Sequence, residues 1–374
     1  MLVECGTLNF QTKFQSINRK MLLVLIVFAS IASITLTGSS FSPHAVLVST
    51  GGSISSPTDD PFRTVAGLNY LSSGNRWDDT DSQLNNDFSR FSNDGIKEIS
   101  VRLMWSVLES SYYEDYSHLS STYINNVKRV LQAAANNGIK VNIDFWTQHG
   151  STLGLPSWVG SYWDIEGDTT VTARYVRYMK AVVNAIKSYS AIESYTIMNE
   201  PWWGTASNGV YVDKAEYQAT FPILYNAIKS EDPSRLITCR FTLSYTPGSG
   251  KFDASVYDVF DVFALTEYLD PDDPSDTRYN GRWSYWDKTI SDLTARDKHL
   301  WVIEFGCSSD WCTQSDIATR YLHSLQKFNA TGIVQKAYSW AWQTRSGSAE
   351  LFNIYDGSNP YPAYDQLKLF PESS

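Results

Sequence analysis

From residue 65 to residue 340 the sequence alternates short apolar runs with longer stretches in which apolar side chains recur every three or four positions. The runs fall at 65–70, 96–104, 140–145, 194–198, 236–241, 259–265, 300–305 and 334–340. They are rich in Val, Ile, Leu and Phe with little alternation, the pattern of strands covered on both faces. Between them, Ile124, Val127, Val130, Leu131 and Ala134 recur at helical spacing, and Asn137-Gly138 ends that stretch. Tyr175, Val176, Met179, Val182, Val183 and Ile186 form a second such face. Further helices are expected around 82–93, 214–229, 284–295 and 315–328. Eight strand-then-helix units imply an α/β fold, a single (β/α)8 TIM barrel. An open doubly wound sheet would need a Gly-rich phosphate loop after its first strand, and Leu68-Asn69-Tyr70-Leu71-Ser72-Ser73-Gly74 is not one.

The barrel is expected over residues 62–374. Ahead of it, Arg19 and Lys20 precede an apolar run at 21–36 and then Thr37-Gly38-Ser39-Ser40. Basic, apolar and small residues in that order form a secretory signal, so residues 1–40 read as a signal peptide and 41–61 as a polar linker. The expected location is extracellular. An uncleaved anchor at 21–36 is the alternative, although the run is short for a bilayer span. Net charge is −10, which argues against nucleic acid as a partner. Of four cysteines, Cys307 and Cys312 stand five apart in one loop and can bridge in an oxidising compartment. The five histidines are scattered without ligand spacing, so no metal site and no cofactor are expected.

Barrel enzymes carry their reacting groups at the C-terminal ends of strands. Those ends hold Arg102 (second), Asp144 and Trp146 with His149 just after (third), and Asn199-Glu200-Pro201-Trp202-Trp203 (fourth). Thr266-Glu267-Tyr268 ends the sixth, Glu304 the seventh, and Trp340 the eighth. Two glutamates on opposite sides of one mouth suit displacement at an anomeric carbon. One protonates the leaving oxygen and the other attacks, and their environments must differ. Arg102 is a source of positive field for Glu304, and Tyr268 a hydrogen-bond donor to it. Asn199 is placed to bind a sugar 2-OH. Asp144 reads as a residue that holds a strand end together. Glu267 either pairs with Arg102 or another base, or points into solvent. Aromatic content is 14%, which suits a cleft that stacks sugar rings; Trp77, Trp105, Trp158 and Trp163 are candidates to extend it.

Ile197-Met-Asn-Glu-Pro201 and Val302-Ile-Glu-Phe-Gly306 resemble the acid/base and nucleophile motifs of glycoside hydrolase clan A. With Arg102 and Trp340 in place, the chain most resembles family 5, the cellulase and mannanase family, over about residues 62–345. The resemblance implies a retaining endo-β-glycanase acting on β-1,4-linked polysaccharide or oligosaccharide, as a monomer. It implies Glu200 as acid/base, Glu304 as nucleophile, Asn199 as the 2-OH partner, and Arg102 and Tyr268 as supports of the nucleophile. It also implies Trp340 as a sugar platform, with His149, Trp146 and Trp202 as further binding candidates. A β-mannanase or other β-glycosidase of the clan, or a carbohydrate-binding barrel without catalysis, are the alternatives. The sequence departs from the family at Thr266, where family 5 usually has histidine.

Overall fold

The computed structural model describes residues 64–70, 79–109, 111, 118–147, 154–343 and 352–371. The expected signal and linker, together with Trp77 and His149, lie outside the described residues. Eight strands close into a barrel, each hydrogen-bonded in parallel to the next in sequence and the last to the first. They are β1 (Val65–Tyr70), β2 (Glu98–Met104), β3 (Lys140–Trp146), β4 (Ile192–Asn199), β5 (Leu236–Thr242), β6 (Phe263–Glu267), β7 (Leu300–Phe305) and β8 (Val334–Ser339).

Outside the barrel lie α1 (Asp81–Asn93), α2 (Ser121–Asn136), α3 (Thr169–Ile186), α4 (Lys214–Glu231), α5 (Trp283–Thr294), α6 (Gln314–Ala330) and the short α7 (Pro362–Leu367). Three of them start on reciprocal capping boxes, Thr80 with Gln83, Asp213 with Glu216 and Thr313 with Asp316. Each box satisfies backbone N–H groups that the first turn leaves without partners.

The expectation of a helix after every strand fails between β5 and β6. There the chain runs through three 3₁₀ turns, Leu243–Tyr245, Pro247–Ser249 and Ala254–Asp258. Pro247 lacks an N–H, and the chain passes so close to α5 that a Cβ on Gly248 would lie 2.2 Å from Thr289 Oγ1. The run expected as a strand from 259 therefore joins the sheet only at Phe263. Asp261 is used in the approach, accepting the Ile237 N–H at 2.8 Å and pairing with Lys229 at 2.9 Å.

The main apolar core lies between sheet and helices, and a second cluster, Val262, Ala264, Trp301, Ile303 and Tyr338, fills part of the barrel. Gly67 makes room for it: a Cβ there would sit 2.4 Å from the Tyr338 ring. At the end where the strands begin, Lys336 of β8 pairs with Glu98 of β2 at 2.7 Å and with Glu193 of β4. That end carries a buried ion cluster, and the opposite end carries the two glutamates. The described residues all belong to one compact unit, Ser49–Ser374.

Candidate active site

Each of the two strands that carry the glutamates gains one residue just before its carboxylate. β4 advances three residues from Thr196 to Asn199 while β5 advances two, from Thr238 to Arg240. β7 advances two from Val302 to Glu304 while β6 advances one, from Leu265 to Thr266, and β8 sees the same offset. An extra residue bends the strand and re-aims the side chains beyond it. Strict alternation would send Glu304 the way of Val302, outward into the helix layer; the offset turns it into the mouth. At Glu200 the backbone bends further, to φ 48°. That conformation costs a non-glycine residue about 1 kcal/mol, and the Glu200 N–H holds it by donating to the Arg240 carbonyl at 2.6 Å.

Glu304 is 9% exposed and its carboxylate takes donors from two strands and from the loop after β6. Oε2 accepts from Arg102 Nη2 at 2.8 Å and from Arg240 Nη1 at 2.5 Å, and Oε1 accepts from the Tyr268 hydroxyl. Behind it, the fully buried Asp144 pairs with Arg240 at 2.8 Å and lies 3.6 Å from Arg102. Asn69 of β1 ties the floor together, donating to the carbonyls of Ile303 (3.0 Å) and Ser339 (3.1 Å) and accepting from Arg240 at 3.4 Å. Burial and then the neighbouring Arg240 lower Arg102 to about 10, which leaves it cationic at neutral pH. Burial also works against Arg240, but Asp144 and Glu304 outweigh it and raise its pKa.

Glu200 sits in a different environment. One neutral hydroxyl donates to it, Thr266 Oγ1 to Oε1 at 2.8 Å. Desolvation of the carboxyl, and then the charge of Glu304, push its pKa up to about 7. Of the two carboxylates, Glu304 is anchored by cations and Glu200 is set to hold a proton near neutrality. Asn199 beside it is 4% exposed, and its Oδ1 has no protein partner among the described residues, which leaves an acceptor free for a ligand hydroxyl.

The aromatic residues divide. Trp340 and Trp146 enclose Arg102, at 3.8 and 4.9 Å from its guanidinium to their ring centres, and each is less than a tenth exposed. The Trp340–Ala341 peptide is cis. Trp202 is exposed and stacks on Tyr245 at 5.7 Å, its carbonyl held by Trp163 and Tyr217 at 2.7 Å each. Trp105 corrects the expectation of an extended groove: it is fully buried, edge-on to Trp158 and stacked on Tyr178. On the far rim, Tyr279 and Trp311 are both more than half exposed with ring centres 5.8 Å apart, and Tyr279 lies 5.1 Å from Tyr268. Trp311 stands in the loop closed by the Cys307–Cys312 disulfide.

Glu267 neither pairs with Arg102 nor reaches solvent. It is 2% exposed and accepts the Leu269 N–H at 2.5 Å, and burial raises its pKa to about 8. Its neighbours Thr266 and Tyr268 face the mouth, so the period of two turns Glu267 away. Sequence reasoning missed Arg240 and Asn69 entirely and gave Asp144 only a structural part. The signal for Arg240 was an arginine inside an otherwise apolar strand, which needs a buried anion. Among the described residues no group of three or more His, Cys, Asp or Glu side chains is arranged to hold a metal ion.

A barrel mouth of this make-up has known relatives. Residues 58–345 match the cellulase family, glycosyl hydrolase family 5. The chain belongs to family 5. Solved structures similar to this family 5 chain include a GH5_18 protein from Streptomyces cattleya in complex with GlcNAc, at TM-score 0.66 and 16% identity, covering 82% of this chain and 79% of that one. A GH113 β-1,4-mannanase aligns at TM-score 0.55 and 13% identity, over 84% and 99% of the two chains. The Pseudomonas stutzeri endoglucanase Cel5A aligns at 0.52 and 18%, over 78% and 86%. At these identities the likeness carries the fold. No curated protein sequence matches the chain. The family 5 barrel is a glycoside hydrolase, and Thr266, which donates to Glu200, stands where histidine is usual in the family.

Proposed function

We propose that this family 5 barrel is a retaining endo-β-glycanase that cleaves β-1,4-linked polysaccharide by double displacement. The observation that carries the reading is the unequal setting of two carboxylates in one mouth. Glu304, paired with Arg102 and Arg240 and accepting from the Tyr268 hydroxyl, attacks the anomeric carbon. Glu200, with its pKa near 7, gives its proton to the departing glycosidic oxygen. The products are a glycosyl ester on Glu304 and a free chain end. Glu200, now a carboxylate, takes a proton from water as that water attacks the same carbon, and the sugar leaves as the β-anomer. Asn199 Oδ1 is free to accept from the 2-OH, a contact that strengthens as charge develops at the ring. Exposed rings at both rims, Trp202 on one side and Tyr279 with Trp311 on the other, suit a chain lying across the mouth.

A second reading is β-mannan as the substrate. It rests on the neighbours, among them a Streptomyces cattleya GH5_18 structure in complex with Manb1-4GlcNAc and the GH113 β-1,4-mannanase. An extracellular setting goes with either reading, supported by the apolar run at 21–36 and the bridged cysteines.

The test uses protein recovered from the medium of an expressing host. Carboxymethyl-cellulose, mixed-linkage β-glucan and β-mannan are assayed for reducing ends, and the first product is followed by proton NMR. The expected result is release from a β-1,4-glucan with the β-anomer formed first, and loss of about 10⁴-fold or more in Glu304→Ala. Release from mannan alone selects the second reading. An initial α-anomer removes Glu304 as nucleophile, and activity confined to small aryl glycosides ends the endo reading.

A further inference from the structure

Glu304 is held by more charge than one carboxylate needs. Two guanidinium groups, from β2 and β5, meet on its Oε2 at 2.8 and 2.5 Å. Like charges so close repel, and here they are buried to 4% and 0% exposure. The fold answers with Asp144, which is fully buried and lies 2.8 Å from Arg240 and 3.6 Å from Arg102. The four groups balance, two cations against two anions, and the Asn69 amide closes the floor by accepting from Arg240.

A simple structural ion pair does not account for this layout. Arg240 uses Nη1 on Glu304 and Nη2 on Asp144, so its planar fork spans the two anions and fixes their spacing. Its carbonyl accepts the Glu200 N–H at 2.6 Å. One residue therefore touches the side chain of one glutamate and the backbone of the other.

We propose that Arg240 and Asp144 are a paired set of positioning residues for Glu304, Arg240 holding the carboxylate charge-paired and in line, and Asp144 drawing off enough positive charge to keep it a competent nucleophile. The inference rests on the reading of Glu304 as nucleophile. An attacking carboxylate needs two opposed things. It must stay deprotonated, which cations favour, and it must keep electron density to give, which excess cation removes. Arg240 supplies the first and Asp144 protects the second. The other charged or titratable groups facing Glu304 are Arg102 from β2, Glu200 from the end of β4, and Tyr268 and Tyr279 from the loop after β6. They are the same in every variant compared.

The two residues therefore make opposite predictions. Arg240→Gln removes a cation from Glu304, so the acid limb of kcat/KM moves to higher pH by about one unit. Asp144→Asn leaves two arginines facing Glu304 alone, so the acid limb moves to lower pH while the maximal rate falls about 100-fold. Arg240→Lys keeps the charge without the fork, so it should leave the limb in place and lower kcat.

The readout is release of dinitrophenol from 2,4-dinitrophenyl β-cellobioside and β-mannobioside. This leaving group needs no proton, so the acid limb reports Glu304 and is independent of Glu200. Unfolding midpoints establish which variants are folded, and Arg240→Lys carries the comparison if either neutral variant is not. Limbs that move apart for Arg240→Gln and Asp144→Asn support the proposal. Limbs that stay put or move together overturn it, as does a lysine variant displaced as far as the glutamine one. Full activity in Glu304→Ala would instead overturn the nucleophile reading, so the two failures are distinct.

Discussion

At the scale of single residues, the chemistry depends on making two like groups unlike. Glu304 has two guanidinium groups from β2 and β5 and the Tyr268 hydroxyl, whereas Glu200 has the Thr266 hydroxyl and a desolvated site. The Thr266 hydroxyl stabilises the charged form of Glu200 and so works against burial and Glu304, which together leave its pKa raised to about 7. Thr266→Val keeps the shape and removes the donor. The pKa of the acid should then rise, and the basic limb of kcat/KM on a natural glycan should move up from near pH 7 by about half a unit. A limb that moved down would show that the hydroxyl accepts from Glu200. Much at this scale was legible in the sequence, because a glutamate after Asn and before Pro at a strand end, matched by another three strands on, has few structural uses. Arg240 was not legible. An arginine in a strand announces a buried anion without saying which, and only the curvature of the barrel turns the inward side chains of β5 and β7, the two neighbours of β6, onto each other.

At the scale of elements, the strands could be read because burial on both faces leaves a nearly unbroken apolar run, and α2 and α3 because their apolar stripes recur at three and four. The added residue in β4 and in β7 could not be read, since register is a property of two strands and the sequence shows one at a time. The β5–β6 connection was misjudged for a related reason: its turns are set by packing on α5, which is distant in sequence. The loops beyond the strand ends carry the rims. In the loop after β6, Tyr279 and Asn280 are both left-handed, at φ 52° and 59°, with Arg278 fastened to Asp276 at 2.8 Å and to Asp270 at 3.4 Å. The loop after β7 is closed by its disulfide and presents Trp311. Strained and braced backbone under exposed rings suits a platform for a sugar ring remote from the cleaved bond. Trp311→Ala should lower kcat/KM about tenfold on a hexasaccharide, equivalent to ~1.4 kcal/mol. It should leave an aryl bioside unaffected, because that substrate ends before the platform. Equal losses on both would place Trp311 outside the glycan path.

At the scale of the whole molecule, the barrel keeps stability and chemistry at opposite ends. Charged clusters are buried at both, and the one at the mouth surrounds the carboxylate proposed as nucleophile. At the closed end Lys336 is 9% exposed and lies between Glu98, 1% exposed, and Glu193, joining β8, β2 and β4 across the barrel floor. Tyr338 adds a hydroxyl to Glu98 at 3.1 Å. Removing Lys336 leaves the buried Glu98 beside Glu193 with only the more distant charge of Lys140 to offset them, a loss of about 3 kcal/mol. The pH dependence originates in Glu98, which burial already raises to about 7 against the attraction of Lys336. Without the lysine its pKa in the folded state rises further above the unfolded value. A group with a raised folded pKa costs nothing while protonated in both states and destabilises as pH climbs toward the folded value. Lys336→Met should therefore lower the denaturant midpoint strongly at pH 8 and little at pH 5, while kcat at 25 °C stays at the wild-type level. Wild-type stability at pH 8 would mean that the Glu98–Lys336–Glu193 cluster contributes nothing net. A folded variant with reduced kcat would mean that the floor of the barrel helps to set the spacing of the strands that carry Glu200 and Glu304.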